Sequence, residues 1–423
     1  MQIIGLKKLN HTLTNINAIY LLLVIFTTTI HSTISNNYDV TVVGPINFNA
    51  SIGRQSIGLI DCLTHDLKVN HINTRGITLD DAPASIINIL NNPPGKSSVA
   101  ILEDLLTIGE EKLYEFVPNS KLKFAYTMFE TTKIIPQWVD ALNTYFDAAI
   151  VPDSFLVNVY KNSGVTIPIF VVPLGIYIDE FLEQPLKQHP GTPFVFGCST
   201  TFEPRKNNVL LLESFIEEFR NTKKVILKLH GRSGSKTFKI LKEILRKRKI
   251  RNVKLELSNY TWNEYLSFMK SLDCFVSISK GEGFSITPRE ALALGIPSIV
   301  SNNTAQKTIC ASGLVLPIET PLEIPAFYPK LSKQPVGTYF TCNKEEVKNA
   351  LRRMYTNYEF FLKKAHLGRF WVQQFRYQNL KQKYLTLLKP KQIILGQTNC
   401  ITDDCLITDS ETLYRKYISI LQA

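Results

Sequence analysis

The segment from Lys280 to Pro297 brings glycines, carboxylates and a proline-marked helix start together, directly after the β-rich run Cys274 to Ile278. Gly281 and Gly283 allow a tight turn and close approach of backbone to a ligand. Thr287, Pro288 and Glu290 read as the N-cap, first helical residue and capping-box carboxylate of the helix that follows. Free amides and the positive dipole end make such a start a phosphate site. Glu282 lies in the loop before that helix and Glu290 in its first turn, so each is placed to hold hydroxyls on a different part of one sugar-containing ligand. Each carboxylate also has a plainer reading, Glu290 as a capping residue and Glu282 as a solvated loop side chain.

The elements that must position these residues come as two alternating series of β-rich runs and helical stretches, the pattern of parallel α/β domains. The first has strands at Asp39–Pro45, Ser98–Leu102, Leu122–Tyr126, Ala148–Val151 and Ile169–Val172. Helical spacing covers Arg54–Leu63, Trp138–Asn143 and Ser154–Asn162. Gly175–Pro193, with three prolines and no sustained periodicity, reads as a linker. The second series has strands at Phe194–Cys198, Val225–Leu229, Val253–Leu257, Cys274–Ile278 and Ser298–Ser301. Its helix Asn208–Phe219 carries an apolar stripe at 209, 212, 215, 216 and 219. Lys344 to Leu388 is helical and aromatic-rich. The expected division is a leader over 1–37, domains over 38–175 and 194–345 joined by a linker over 176–193, a closing helical segment over 346–390, and a tail over 391–423.

Several classes are excluded or weakened. Neither series has a G-x-G-x-x-G after its first strand, and there is no G-x-x-x-x-G-K-[ST], which argues against nicotinamide dehydrogenases and P-loop NTPases. No D-x-D occurs, and none of the seven cysteines and seven histidines falls at zinc spacing, so no metal site is expected. At 44% hydrophobic and 20% charged residues, the 423-residue chain can fill two cores. Its net charge of +12 favours anionic partners. Nucleic acid is not among those expected, because the basic run Arg246–Arg251 lacks interleaved aromatics; it reads as a solvated helix end or, alternatively, as a contact for an acidic membrane or lipid-linked acceptor.

The block G-E-G-F-S…P-x-E-A-x-A-x-G-x-P, with Glu282 and Glu290 in E-x7-E spacing, resembles the signature of the group 1 glycosyltransferases of GT-B fold. Phe196–Asn207 is similar to that family's basic phosphate loop, and Val171–Ile176 to the segment ending its N-terminal domain. Gly44–Pro45 through Gly53 is similar to its first-strand loop, and Phe370–Phe375 with the helix after it to its closing helix. The resemblance, over about residues 38–388, implies two facing Rossmann-like domains with a C-terminal crossover helix. It also implies a retaining, metal-independent glycosyltransferase of hexosyltransferase type, working in polysaccharide or glycoconjugate biosynthesis. The donor would be a nucleotide-diphosphate sugar, bound as substrate without a cofactor, and the acceptor a glycan or a lipid-linked sugar. Lys206 and Arg205 would neutralise the diphosphate, and Glu282 would bind the transferred sugar. Glu290 would bind ribose hydroxyls, the amides of Gly283, Phe284 and Ser285 would face phosphates or sugar, and Gly53 would line the cleft. Relatives often carry an Arg before the lysine, where this chain has Thr200 and Thr201, and a His near the reacting sugar, where Glu103, Asp104 and Glu130 are the acceptor-side candidates. A non-catalytic nucleotide-sugar-binding protein, or a phosphorylase or epimerase on the same fold, are the alternatives.

Lys7 and Lys8 precede the apolar run Ala18–Phe26, and no charge occurs between Lys8 and Asp39. This suggests a signal or membrane-associating segment in front of a cytoplasmic catalytic domain, with a lumenal location left open by three glycosylation sequons, one at Asn49.

Overall fold

The computed structural model describes residues 36–80 and 82–388; the leader and the tail, with Cys400 and Cys405, lie outside them. The first domain is a six-stranded, wholly parallel sheet. Its strands are β1 (Asn36–Gly44), β2 (Val69–Asn73), β3 (Gly95–Glu103), β4 (Leu122–Tyr126), β5 (Ala148–Val151) and β6 (Ile169–Val171), in the order β2-β1-β3-β4-β5-β6. Helices α1 (Ser51–Thr64), α2 (Ala84–Leu90), α3 (Pro136–Tyr145) and α4 (Phe155–Ser163) cover it. Val40, Val42 and Val43 of β1 are all fully buried. That is why a central parallel strand reads as a continuous β-branched run rather than as an alternation.

A short helix, α5 (Asp179–Glu183), falls inside the segment expected to be a linker, because Phe181 finds burial against Trp262 and Tyr265. The second sheet contains β7 (Phe194–Thr200), β8 (Val225–Gly231), β9 (Val253–Leu257), β10 (Cys274–Ser277), β11 (Ser298–Asn302) and β12 (Leu316–Glu319), in the order β9-β8-β7-β10-β11-β12. This is the strand order 3-2-1-4-5-6 of a doubly wound nucleotide-binding sheet. Its helices are α6 (Asn208–Phe219), α7 (Ser235–Arg248), α8 (Trp262–Lys270), α9 (Ile286–Ala293) and α10 (Gln306–Ala311). Arg246 and Lys247 are exposed in the last turn of α7, the solvated helix end the sequence suggests.

Two features tie the domains together. A hairpin, β13 (Leu322–Pro325) with β14 (Thr338–Thr341), carries the loop 326–337 onto the first domain. There Tyr328 packs on Phe129, and the carbonyl of Val336 accepts the Thr131 hydroxyl at 2.8 Å. After α11 (Lys344–Thr356) and α12 (Tyr358–Trp371), the turn 372–375 sends α13 (Tyr377–Leu388) back onto α1. The Tyr377 ring fills a notch in the first domain: Cβ atoms added at Gly58 and Gly175 would fall 2.1 and 2.3 Å from it. Tyr384 donates to the Pro173 carbonyl and accepts the Gly175 amide, each at 3.0 Å. Among the described residues no helix is long and apolar enough to cross a membrane.

Candidate functional site

In both sheets the strand order reverses beside the first strand, between β1 and β3 and between β7 and β10. The crevice outside the carboxyl ends of strands at such a switch point is where ligands bind in doubly wound sheets. The loops after all four strands line one cleft of about 360 Å³ between the domains.

The donor-side wall is built on an ion network. Lys206 and Arg205 form a short 3-10 turn (Pro204–Lys206) after β7, held because the Lys280 amide donates to the Arg205 carbonyl at 2.8 Å. Lys206 Nζ lies 2.6 Å from Glu282 Oε1, and Arg205 Nη1 lies 3.1 Å from Glu282 Oε2. Burial pushes the Glu282 carboxyl up, but Lys206 and Arg205 outweigh it and hold its pKa down at about 2. Burial and the Arg205 charge lower Lys206 in turn. Arg205 also donates to the Gly281 carbonyl at 2.6 Å and reaches Glu130 of the first domain at 3.1 Å. Tyr328 donates to the other Glu130 oxygen at 3.0 Å. Arg205 is therefore shared between carboxylates of both domains.

Gly283, Phe284 and Ser285 line the cleft, as do Ile286 and Thr287. The helix start differs from the expected one. Ser285, at φ 68° and ψ 73°, is the N-cap of α9, and no side chain caps it. Thr287 and Pro288 are therefore already helical, and Glu290 closes no capping box. Its carboxylate is 1% exposed, accepts the Tyr265 hydroxyl at 2.6 Å and faces Arg54 at 3.4 Å. Burial raises its pKa, against the opposing effects of Arg54 and the Tyr265 hydrogen bond. Gly281 and Gly283 have no left-handed backbone; their role is close approach, since a Cβ on Gly281 would lie 2.0 Å from the Glu130 carbonyl oxygen.

The expected position of Gly53 is also corrected. It is a residue of α1, whose first turn starts at Ser51, and a Cβ there would lie 2.2 Å from the Asn47 carbonyl oxygen. Gly53 lets the β1–α1 loop fold back on the helix; it does not line the cleft, whereas Arg54 beside it does. Residue type and spacing give no chemical role to Arg54 or Tyr265, and the loop His230–Gly234, which carries Arg232, reads from the sequence as an ordinary strand-end loop or a nucleotide contact. Arg54 lies over the Trp262 and Tyr265 rings at 5.2 and 5.8 Å, and Arg232 donates to the Asn49 carbonyl across the domain boundary. His230, at the end of β8, is buried and stacked on Tyr260 at 3.8 Å, with Nδ1 2.8 Å from the Ser199 hydroxyl.

On the opposite wall, Glu103 accepts the Ser56 hydroxyl at 2.7 Å, and burial raises its pKa well above the usual range. Asp104 accepts the Thr74 hydroxyl at 2.7 Å and pairs with Arg75. Burial raises Asp104 too, against the effect of Arg75.

Two facing Rossmann-like domains, a cleft between them and a helix that crosses back to the first domain define the GT-B class of proteins. Residues 180–315, from the segment joining the domains through most of the second sheet, match the family model described as Glycosyl transferases group 1. The solved structure of Anabaena Alr3699/HepE in complex with UDP-glucose is similar at a TM-score of 0.57 and 12% identity, over 83% of this chain and 99% of that one. WaaG, a glycosyltransferase involved in lipopolysaccharide biosynthesis, is similar at 0.56 and 13%, over 82% and 99%. A glycosyltransferase from Rickettsia africae ESF-5 is similar at 0.57 and 14%, over 86% and 100%. No curated protein matches the sequence.

Proposed function

We propose that the chain transfers a sugar from a nucleotide-diphosphate donor to a glycan or lipid-linked acceptor, with retention of anomeric configuration and without a metal or other cofactor. The observation that carries this reading is the Lys206–Glu282 pair, 2.6 Å apart, beside the amide-lined turn before α9. An incoming diphosphate competes with Glu282 for Lys206. The lysine then meets phosphate oxygens, and the released carboxylate is free to accept sugar hydroxyls. As the anomeric C–O bond breaks, its electron pair leaves with the nucleoside diphosphate, and a preorganised cation and amides stabilise that charge. The acceptor hydroxyl enters from the wall carrying Glu130, Glu103 and Asp104. The complex of the Anabaena structure with UDP-glucose supports a UDP-sugar as the first donor to try.

Glu282→Ala and Lys206→Ala are each expected to lower transfer at least about tenfold while the fold is kept, as for removal of a transition-state charge contact. Unchanged turnover in both variants would refute the site. The anomer released is read by NMR, where inversion would overturn the retaining reading. A chelator should leave the rate unchanged.

A further inference from the structure

Arg289, on the first turns of α9, is 0% exposed and has no carboxylate within ion-pair distance among the described residues; the charge acting on it is that of Asp153. Its guanidinium lies over Phe284 at 3.9 Å, Phe375 at 4.7 Å and Trp371 at 5.9 Å from the ring centroids. Nη1 donates to the carbonyls of both Phe284 and Ser285, while Nε and Nη2 have no acceptor. A buried cation with no carboxylate in contact is costly; the buried Asp153 carboxylate acts on it from beyond ion-pair distance, and that attraction and the aromatic faces offset only part of the cost. Packing alone would favour a leucine or methionine here.

The two carbonyls suggest what the arginine does. A trans peptide is planar, so each carbonyl and the amide of the next residue point in opposite directions. Arg289 draws the Phe284 and Ser285 carbonyls behind the wall that residues 283–287 present to the cleft. The amides of Ser285 and Ile286 are thereby turned toward the cleft, and among the described residues neither finds an acceptor. Ser285 pays for this with a left-handed backbone, unfavourable for a residue with a Cβ, immediately before right-handed α9. Successive residues of opposite hand make a concavity of amides that suits an anion.

We infer that Arg289 is a positioning residue: from behind the cleft wall it locks the 284–286 turn so that two backbone amides face the donor's phosphates. The inference rests on the donor-site reading above. Its test is calorimetry on the full chain with UDP, GDP and ADP beside uridine, guanosine and adenosine. For the base bound best, the diphosphate is expected to bind the wild type at least tenfold more tightly than the nucleoside. Arg289→Met, an apolar side chain of similar length, should lose most of that gap while nucleoside affinity stays within about twofold. Arg289→Lys, which keeps the charge and one donor nitrogen, should restore part of it. A purely structural role would lower both affinities together with the melting temperature. An undiminished gap in folded Arg289→Met overturns the inference and leaves the donor site standing; a wild type that binds no diphosphate more tightly than its nucleoside overturns both. If Arg289→Met does not fold, the lysine variant decides by the same ratio, an unchanged gap refuting the inference.

Discussion

Substituting Gly281 tests whether the cleft depends on intimate contact between the domains. A methyl group at 281 would lie 2.0 Å from the Glu130 carbonyl oxygen and 3.2 Å from its carbon, where real contacts essentially never fall under 3.0 Å. The obstacle is backbone of the other domain, so the two loops must part by about 1 Å, and Glu282 moves with them. Overpacking of this kind costs about 1–3 kcal/mol. At about 2 kcal/mol the ratio of closed to open molecules falls roughly 30-fold. Gly283→Ala is the milder comparison: the three atoms nearest its Cβ are Cγ, Sδ and Cβ of the Met128 side chain, at 2.7, 2.8 and 2.9 Å, rather than backbone. Neither glycine has a positive φ, so backbone strain does not cloud the comparison. Small-angle scattering should give a larger radius of gyration for Gly281→Ala than for wild type, and initial rates at saturating donor should fall by about tenfold or more. The reasoning fails if Gly281→Ala scatters and turns over like wild type, or if Gly283→Ala is the more impaired of the two.

The remaining predictions concern charge and the crossover helix. Because the Glu282 pKa is depressed from 4.5 to about 2, its ion pairs stabilise the fold fully above about pH 4.5, and that contribution is lost as pH falls through about 2. Glu282→Gln should therefore be less stable than wild type at pH 7, with the difference shrinking toward pH 2 in denaturant titrations. Glu103 has the opposite sign: its raised pKa means the native state holds the proton more tightly, so stability falls as pH rises above 4.5. Glu103→Gln should raise the melting temperature at pH 8 and leave it nearly unchanged at pH 4. Gly58→Ala and Gly175→Ala should each destabilise the chain by about 2 kcal/mol or more, because the Tyr377 ring occupies the space of the added methyl. Chemical denaturation that leaves either variant as stable as wild type would show that the notch is not needed.

The central strands were legible because buried parallel strands are near-continuous apolar runs, β-branched in β1 (Val40–Val43) and Cys-Phe-Val in β10. Of the four edge strands, β6 and β9 were legible as well, whereas β2 and β12 were not. β2 carries Asn70 and His71, and β12 carries Pro317, which reads as a break although an edge position tolerates it. The start of α1 was placed three residues late because Ala50, its N-cap, supplies no capping side chain. In the cleft, the loop carrying Glu282 was readable from its glycines and its position after a strand. The surroundings of Glu290 were not, since Arg54 lies 236 residues away and no local pattern joins them. Arg205 drew attention as one half of a basic pair. Its link to Glu130 of the other domain is a product of tertiary packing alone.

The crossover helix has a consequence for the order of synthesis. The ribosome delivers the first sheet, complete at Val171, some two hundred residues before Tyr377 emerges. Domains begin to fold as they are made, yet this one exposes the notch at Gly58 and Gly175 until the last described helix arrives to fill it. The amino-terminal half can therefore acquire its sheet early but reaches its final surface only when the carboxyl-terminal end has been translated. A chain truncated before 377 is expected to retain the second domain intact and to leave the first one sticky.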